Sequence, residues 1–366
     1  MRDNIKVALI GCGRIAGHHC RSIQLVDGIE LVAVCDLLEE KAKNYGQQYH
    51  IPWYTNYHDM LTEMPEILVV AVITPSGMHY EHAMDIMQRY RKHLVIEKPT
   101  FLRPDHLCSV YHLAETLNLK IFPVFQNRYN KAVNRVKQAL ETGELGKIYL
   151  SAVRVRWCRP QYYYELAPWR GTFSHDGGAL TNQGVHHVDL LRYLGGEIKR
   201  VNCTMHTFEL NIEVENAAIA TFEYESGALG TVEVTTAARP LDFEASISIV
   251  GSKGLAQIGG IAVNELQIFT PDPAACHMFS EDFSGCVYGN GHQQIYRNIV
   301  SDLNGQVDYP IDQSNCLHTI TLLNAFYRSD EVCHWVDLSD HPQSARLGRK
   351  NESVAQLYRT PVLLEV

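Results

Sequence analysis

Residues 5–16 read IKVALIGCGRIA, and this stretch decides the fold of the first part of the chain. The apolar run predicts a buried strand, and the Gly-x-Gly-x-x-Ala motif after it opens a helix. The first glycine permits a tight turn, the second lets a pyrophosphate approach the backbone, and the alanine lets helix and strand pack closely. The N–H groups that begin the helix favour an anion. The predicted cofactor contacts here are Gly11, Gly13, Arg14 and Ile15.

An acidic residue ends the next predicted strand. Asp36 directly follows Glu30–Cys35 and lies 23 residues after Gly13, close to the spacing of about 20 that dinucleotide folds show. A carboxylate at this point accepts a hydrogen bond from a ribose 2′-hydroxyl and repels a 2′-phosphate. Two leucines follow it, not arginines. We therefore predict NAD rather than NADP as the cofactor.

Short apolar runs alternate with helical patterns through the first third of the chain. The runs are continuous and rich in β-branched residues, so both faces of each strand should be buried, as in a parallel sheet. This alternation predicts a doubly wound α/β Rossmann domain. The predicted strands are Ile5–Ile10, Glu30–Cys35, Ile67–Ile73, His93–Ile96 and Lys120–Val124; the predicted helices are Ile15–Leu25, Leu37–Gln48, Tyr80–Arg89 and Pro104–Leu117.

The pattern changes after residue 124. Longer runs with partial alternation and short turns predict an α+β domain with an open, largely antiparallel sheet and helices on one face. We therefore predict two domains, residues 1–124 and 125–366. The predicted strands of the second are Lys147–Trp157, Arg200–Phe208, Ala217–Tyr224, Leu229–Thr236 and Glu244–Val250; its helices are Lys131–Glu141, Val185–Leu194, Gln293–Leu303 and Ser314–Ser329.

Composition excludes several classes of protein. The chain has 366 residues, 46% hydrophobic and 20% charged, which is typical of a globular protein. A net charge of −9 argues against a nucleic-acid or anionic-membrane surface. No apolar run reaches the ~20 residues of a membrane helix, and no secretory signal is visible. Ten scattered cysteines without a CxxC pair predict reduced thiols in the cytoplasm and no metal site.

A lysine follows the predicted strand His93–Ile96, within Glu97-Lys98-Pro99. Ligands of open α/β sheets bind beyond the carboxyl ends of the strands, so Lys98 should face the reactive region. A lysine there can hydrogen-bond a cofactor ribose and a substrate hydroxyl, and it can take part in proton transfer. We predict that Lys98 is catalytic and also contacts the cofactor and the substrate.

These motifs together resemble the glucose–fructose oxidoreductase / inositol dehydrogenase / rhizopine-catabolism superfamily, over essentially the whole chain. Glu97-Lys98-Pro99 after a Gly-x-Gly-x-x-Ala fold is the hallmark of that superfamily. The segment from Thr74 to His79 resembles its loop beside the cofactor, and Asn127-Arg128-Tyr129-Asn130 resembles its strand-to-helix junction. The resemblance implies further cofactor contacts at Thr74, Pro75, His79, Glu97, Gln126, Trp169 and Arg170.

A histidine-containing turn carries the second catalytic candidate. The family pattern Asp-x-Gly-x-His-x-x-Asp falls on residues 182–189, with His186 at the histidine position and Asp189 at the last. Asn182 replaces the first aspartate, so that position cannot act as a base, although it can still hydrogen-bond a sugar. Acid–base work then falls on His186, on Lys98, or on both, since a histidine with a pKa near ~6.5 suits abstraction of a hydroxyl proton.

Arginine and aromatic residues are concentrated between residues 154 and 172. Arginine forks match carboxylates and phosphates, and aromatic faces stack on sugars and bases; the alternative is an amphipathic strand leading to a surface loop. This stretch resembles the UDP-N-acetyl-2-amino-2-deoxyglucuronate 3-dehydrogenases of bacterial surface-polysaccharide synthesis. The predicted substrate contacts are Lys98, Arg156, Arg159, Tyr164, Asn182, His186 and His292, and for His292 a capping or core position is an equal alternative.

The resemblance implies an NAD-dependent oxidation, at C3, of a UDP-N-acetylhexosamine or its uronate, by a homodimer or homotetramer that pairs through the open sheet. Three alternatives stay open. The protein is a generic sugar or inositol dehydrogenase, or an NAD-dependent glycoside hydrolase with no net formation of NADH. The third is a non-catalytic NAD-sensing regulator, against which the joint presence of Lys98 and His186 counts.

Overall fold

The computed structural model describes residues 4–283 and 288–361. The strands are β1 (Ile5–Ile10), β2 (Ile29–Cys35), β3 (Trp53–Tyr54), β4 (Val69–Val72), β5 (His93–Ile96), β6 (Ile121–Pro123), β7 (Ile148–Arg156), β8 (Ile198–His206), β9 (Ala217–Tyr224), β10 (Leu229–Thr235), β11 (Glu244–Gly251), β12 (Leu255–Gly259), β13 (Glu265–Phe269) and β14 (Val336–Asp337). The helices are α1 (Ala16–Gln24), α2 (Glu39–Tyr49), α3 (Tyr57–Glu63), α4 (His79–Tyr90), α5 (Pro104–Leu117), α6 (Lys131–Glu141), α7 (Gln161–Glu165), α8 (Val185–Gly195), α9 (Ala275–Met278), α10 (Gly291–Leu303), α11 (Gln313–Val332) and α12 (Glu352–Ala355).

The chain forms two compact units. Unit 1 comprises the described residues of Met1–Val124, His292–Leu317 and Lys350–Val366, and unit 2 those of Phe125–Gly291 and His318–Arg349. The chain passes from unit 1 to unit 2 after Val124. It later returns to unit 1, because most of α10, the start of α11 and α12 belong to that unit. Helical periodicity locates a helix but not the sheet on which it packs.

Unit 1 contains a six-stranded parallel sheet in the order β3-β2-β1-β4-β5-β6. The order reverses between β1 and β4, and open α/β sheets bind their ligands at such a switch point. All of Val69–Val72 is fully buried, as are Val7, Ala8 and Leu9 of β1. The predicted doubly wound sheet, with strands buried on both faces, is confirmed.

Local signals explain several helix ends of unit 1. The Asn56 side chain accepts a hydrogen bond from the N–H of His58 at 2.8 Å and caps α3. Pro104 occupies the first turn of α5, where its missing N–H costs nothing, and Asn118 ends that helix in the left-handed conformation. No pattern in the sequence predicts β3 and α3, because two and seven residues are too few to show a period.

Unit 2 contains an eight-stranded sheet in the order β13-β12-β11-β7-β10-β9-β8-β14. Neighbouring strands are antiparallel except for β7 and β10, which are parallel. Strict alternation along β9 buries Phe222 and Tyr224 and exposes Ile219. The predicted largely antiparallel sheet is confirmed, and the parallel pair arises because β8 and β9 intervene in the chain before β10 joins β7.

Helices cover one face of this sheet. Helix α8 packs on β7, and α6 packs on β12 and β13. On the other face Leu150, Ile219 and Leu229 are each at least half exposed. The sheet of unit 2 is therefore open, as predicted.

The cysteines of the described residues are free thiols, and Cys286 lies outside those residues. No helix in the described part of the chain combines the length and the apolar character that crossing a bilayer requires.

Candidate active site

The turn between β1 and α1 leaves room for an anion. Gly11 has φ of +102°, and a Cβ there would lie 2.5 Å from the carbonyl oxygen of Ile73, so only glycine fits. Gly13 is exposed, and a Cβ there would meet nothing within 4 Å. The first turn of α1 has neither a side-chain cap nor an acidic residue. Its N–H groups therefore fit the pyrophosphate of a dinucleotide.

The Asp36 carboxylate is fixed at the carboxyl end of β2. Its Oδ2 accepts the N–H of Cys12 at 2.7 Å, and its Oδ1 accepts the N–H of Leu38 at 2.9 Å. The first bond ties the carboxylate to the glycine turn itself. These residues fit NAD, because the remaining lone pairs of Asp36 can accept ribose hydroxyl groups.

His79 joins the loops that follow β4 and β5. One ring nitrogen lies 3.0 Å from the carbonyl oxygen of Thr74, and the other lies 3.0 Å from that of Pro99. Burial lowers the pKa of His79. Both ring nitrogens face backbone carbonyl oxygens. The first role of His79 is therefore to hold these two loops together. Pro75 begins a short 3-10 turn in the first loop, and Thr74 Oγ1 lies 3.0 Å from Nδ1 of His82.

Glu97 is buried directly before the half-buried Lys98. Its Oε1 lies 2.9 Å from Nε2 of His19 and 3.3 Å from Nε2 of His292, and its Oε2 accepts the backbone N–H of Lys98 at 2.9 Å. Burial raises the pKa of Glu97, but the hydrogen bonds from the two histidines outweigh this effect and hold the pKa well below its ordinary value. Glu97 is therefore a buried anion at the carboxyl end of β5.

His292 is fully buried in this cluster, at the start of α10. Its ring packs edge-on against His19, with the ring centroids 4.7 Å apart, and burial lowers the pKa of His292 to about 4. This is the core position that the sequence left open as an alternative to a substrate contact. The ligand-type atoms of His19, Glu97 and His292 all lie within 4.8 Å of one another, and hydrogen bonds link Glu97 to each histidine.

In unit 2, His186 lies in the first turn of α8 and is buried. The amide nitrogen of Gln126 lies 3.0 Å from Nε2 of His186. The resemblance assigned Gln126 to the cofactor. In the structure its side chain holds the ring of His186, the catalytic candidate. His187 packs edge-on against Trp157, and burial lowers its pKa to about 4, which fits a structural residue.

Two buried carboxylates fix the chain on either side of His186. Asp176 accepts hydrogen bonds from the Asn182 side chain and, at 2.7 Å, from the N–H of Gly171. Asp189, one turn after His186, accepts a bidentate pair of bonds from Arg128 at 2.7 and 2.6 Å. Such a pair is strongly directional, so α8 is anchored to the Asn127-Arg128-Tyr129-Asn130 junction.

Each predicted arginine already has partners within unit 2. Arg156 contacts Glu233 at 2.5 Å and Glu244 at 3.2 Å. Arg159 pairs with Asp242 at 2.8 Å. Arg170 donates to the Tyr163 hydroxyl at 2.5 Å, with its guanidinium over the Trp169 ring, and Tyr164 bonds Thr236 at 3.0 Å. An anionic ligand would share or replace these partners, most readily at Arg170, which contacts the neutral side chains of Tyr163 and Trp169.

Two groups near the predicted site, His19 and Glu215, were not among the residues predicted from the sequence. His19 is a polar residue on the buried stripe of α1, between Ala16 and Ile23. A polar residue at a buried helical position is the sequence signal that could have identified it. Glu215 is buried beneath the turn of residues 179–183, where it accepts the N–H of Leu180 at 3.0 Å and the Tyr327 hydroxyl at 2.8 Å. Its position in a loop after β8 gave no signal.

The glycine turn, the fixed Asp36 and the lysine at the end of β5 define an NAD-binding oxidoreductase. Comparison with known proteins identifies the family. Residues 5–125 match the oxidoreductase family with an NAD-binding Rossmann fold, and residues 133–257 match the GFO/IDH/MocA C-terminal domain. The chain belongs to the GFO/IDH/MocA family, and it is an NAD-dependent dehydrogenase of the sugar-oxidising type.

Two solved structures resemble the chain over most of its length. One is the WlbA dehydrogenase from Bordetella pertussis in complex with NADH and UDP-GlcNAcA, with 33% identity, a TM-score of 0.85, and coverage of 92% of this chain and 98% of that one. The other is the WlbA dehydrogenase from Chromobacterium violaceum with the same ligands, with 32% identity, a TM-score of 0.82, and coverage of 92% and 96%.

A curated relative is more distant. The D-glucoside 3-dehydrogenase of Escherichia coli strain K12 is 27% identical over 246 residues, which are 63% of this chain and 66% of that protein. The branch of UDP-sugar dehydrogenases that the arginine-rich stretch predicted is thus also the branch of the two structural relatives.

Proposed function

We propose that the protein uses NAD to oxidise the C3 hydroxyl of a UDP-N-acetylhexosamine or, preferably, its uronate, in the synthesis of a bacterial surface polysaccharide. One observation carries the proposal. The likeness to a WlbA dehydrogenase bound to NADH and UDP-GlcNAcA extends over 92% of this chain at 33% identity. A likeness of that extent includes residues of both units.

The chain's own residues would divide the work as follows. NAD, when bound, accepts a hydride from the sugar carbon. His186 takes the hydroxyl proton, with its ring held by Gln126, while Lys98 polarises the oxygen or shares the proton. Asn182, fixed by Asp176, hydrogen-bonds the sugar.

The anionic groups of the substrate would meet arginines. Arg170 is the strongest candidate, because the Tyr163 hydroxyl to which it donates and the Trp169 ring on which it stacks are both neutral. Arg159 and Arg156 remain candidates that must share their carboxylate partners with the ligand.

Subunit pairing is part of the proposal. We expect a homodimer or homotetramer in the cytoplasm that pairs through the open face of the sheet in unit 2. Leu150 and Leu229 are exposed neighbours across β7 and β10 on this face, and adjoining exposed apolar residues of this kind mark interaction surfaces. Light scattering would report the mass of the assembly, and a monomer at working concentration would contradict it.

Heat stabilisation tests the substrate class without assuming a reaction, because a ligand that binds only the folded state raises the melting temperature. The panel is NAD and NADP, each alone and with UDP-N-acetylglucosamine, its uronate, glucose, methyl glucoside or inositol. We expect NAD with the UDP-uronate to stabilise most. Stabilisation by free sugars or inositol only would indicate the generic sugar dehydrogenase instead.

Turnover then separates a dehydrogenase from a glycoside hydrolase of the same family. Incubation with NAD and the stabilising sugar should give a 3-keto sugar, trapped by borodeuteride and detected by mass spectrometry, with one NADH per product. Release of free sugar from a glycoside with no net NADH would favour the hydrolase.

A further inference from the structure

A buried carboxyl group from the loop between β8 and β9 supports the turn of residues 179–183. Glu215 binds this turn twice. Its backbone carbonyl accepts the N–H of Ala179 at 3.1 Å, and its Oε1 accepts the N–H of Leu180 at 3.0 Å. One residue therefore satisfies the first two N–H groups of the turn. The turn is π-helical, a conformation that is frequent at functional sites, and it leads directly into α8 and His186.

Tyr327 of α11 completes the support. Its buried hydroxyl lies against three oxygen atoms: the carbonyl oxygen of Gly177, Oε1 of Glu215 at 2.8 Å and Oγ1 of Thr181 at 3.1 Å. The packing around the carboxyl group is close, because a Cβ at Gly178 would overlap the Glu215 side chain. Glu215 and Tyr327 thus hold the chain on both sides of the start of the turn.

The number of protons available limits what this network can satisfy. The Tyr327 hydroxyl has one proton, and the carbonyl oxygen of Gly177 can only accept. When Glu215 is protonated, its own O–H can donate to the tyrosine oxygen, and the tyrosine proton is left for Gly177. When Glu215 is ionised, the single tyrosine proton must serve two acceptors, the carboxylate and the Gly177 carbonyl. A buried acceptor that loses its donor is costly, so ionisation weakens the hold on the turn.

The surroundings of Glu215 favour its protonated form. Burial raises its pKa to about 8, and its Oε2 is buried without a hydrogen-bond partner among the described residues. The positive charge of Arg346 lowers the pKa only in part, because that guanidinium is also paired with Asp330 at 2.5 Å and Glu331 at 3.4 Å. The titratable or charged groups that face Glu215 are Tyr327, Arg346, Cys203 and Tyr164.

We propose that Glu215 and Tyr327 are positioning residues, and that the pair, with its carboxyl group protonated, holds the turn of residues 179–183 in the conformation that turnover requires. Loss of the proton leaves one buried acceptor without a donor, loosens the turn and slows turnover as pH rises. The turn carries Asn182 and leads into His186. The use of these two residues in turnover rests on the proposed function, whereas the pH-dependent hold on the turn does not.

Hydrogen–deuterium exchange measures the hold on the turn without any sugar. Mass spectrometry of the peptide that contains residues 177–184 compares the wild type with Glu215→Gln at equal pH, so the intrinsic pH dependence of exchange cancels. Because glutamine cannot ionise, the wild type should lose protection relative to this variant as pH rises past about 8. Glu225→Gln, which changes an exposed glutamate of unit 2, is the control and should behave as the wild type does.

The pH dependence of turnover is a readout that a merely structural role would not move. The ratio of the wild-type kcat to that of Glu215→Gln should fall about tenfold between pH 7 and 9, the range in which a carboxyl group with a pKa of about 8 loses its proton. A ratio that stays constant over this range, with Glu215→Gln slow throughout, would reduce Glu215 to structural support and overturn the proposal.

The tyrosine is tested separately. Tyr327→Phe removes the shared hydroxyl, and it should lower kcat about tenfold already at pH 7. Tyr224→Phe removes another buried hydroxyl of unit 2, which lies 2.9 Å from that of Ser151, and should keep kcat within about threefold of the wild type. Equal kcat values in Tyr327→Phe and the wild type would remove Tyr327 from the pair and contradict the proposal.

Two further outcomes are decisive. Should Glu215→Gln fail to fold, exchange in the wild type alone between pH 7 and 9, corrected for the intrinsic rate, compares the peptide of residues 177–184 with one from β11. Loss of protection confined to the turn is expected, and equal behaviour of the two peptides would contradict the proposal. If no sugar is turned over but the turn loses protection as expected, the proposed function fails and the hold of Glu215 on the turn stands.

Discussion

At the scale of single residues, we expect Asp36 to determine the choice of cofactor. Both of its oxygens already accept backbone N–H groups, from Cys12 and Leu38, so the carboxylate cannot turn away from the end of β2. A fixed anion at this point accepts ribose hydroxyls and repels a phosphate on the same ribose. We therefore propose that the preference for NAD depends on the Asp36 side chain and on the two backbone N–H groups that orient it.

Asp36→Ala is expected to lower kcat/KM for NAD by about 10- to 100-fold, because hydrogen bonds to a charged group contribute about 1.5–3 kcal/mol. The kcat/KM for NADP should fall less, because the variant lacks the carboxylate that repels a 2′-phosphate. Steady-state kinetics with both cofactors measure the ratio, with Asp27→Ala, an exposed residue of the same unit, as the control. An unchanged ratio would remove Asp36 from the cofactor site.

Lys98 and His186 carry the proposed proton transfer. Lys98→Ala and His186→Ala should each lower kcat at least about 100-fold, which is the usual contribution of a positioned acid or base. Melting temperatures should change little by comparison. The controls are Lys43→Ala and His206→Ala, which remove exposed residues of the same type from the same units. Near wild-type turnover in both site variants would mean that the proposed catalytic residues are wrong.

At the scale of secondary-structure elements, the turn of residues 179–183 before α8 depends on a buried acid. Glu215 accepts the N–H of Leu180 and the Tyr327 hydroxyl, yet burial raises its pKa to about 8. Its folded pKa therefore exceeds its unfolded value near ~4.3. Protonated Glu215 makes its full contribution to the free energy of unfolding below pH ~4.3. This contribution is lost as pH rises toward 8.

Glu215→Gln mimics the neutral acid. As pH rises from 5 to 8, its free energy of unfolding should therefore rise relative to that of the wild type by about a few kcal/mol. Urea unfolding at pH 5, 6, 7 and 8 measures this difference. Glu225→Gln, an exposed glutamate of unit 2, should show no such trend. A constant difference between Glu215→Gln and wild type at all four pH values would contradict the assignment.

The elements themselves were largely predictable, for reasons visible in particular residues. Val69–Val72 is an unbroken apolar run because both of its faces are buried, and β9 alternates because only one face is. The short β3 and α3 carry no period and were not predicted. The partners of buried polar groups were also beyond the sequence, because His19, Glu97 and His292 are far apart in the chain and meet only through packing.

The candidate site was predictable as a set of motifs but not as a set of contacts. Position after a strand identified Lys98 and Asp36, since ligands of these sheets bind at the carboxyl ends. The arginine-rich stretch predicts contacts with anionic groups of a ligand, and nothing in the sequence indicates that Glu233 and Glu244 from neighbouring strands hold Arg156. Register between strands decides such pairs, and no local pattern reveals it.

At the scale of the whole molecule, the chain enters unit 2 after Val124 and returns twice to unit 1. One return begins at His292, a member of the cluster around Glu97. Unit 1 is therefore completed by residues that follow most of unit 2 in the sequence. Cutting the chain after residue 124 would remove His292 and Tyr296 from their partners, so cofactor binding should be studied on the full chain.

The central claim is that a hydride leaves C3 of a UDP-activated sugar for NAD. It is tested most directly by incubating the protein with NAD and UDP-N-acetylglucosaminuronate carrying deuterium at C3, and by measuring the mass of the reduced cofactor after it is released by denaturation. We predict that the label is found on the nicotinamide ring, whether or not the cofactor normally leaves the protein. Reduced cofactor without deuterium, or no reduced cofactor at all with this sugar, would contradict the account.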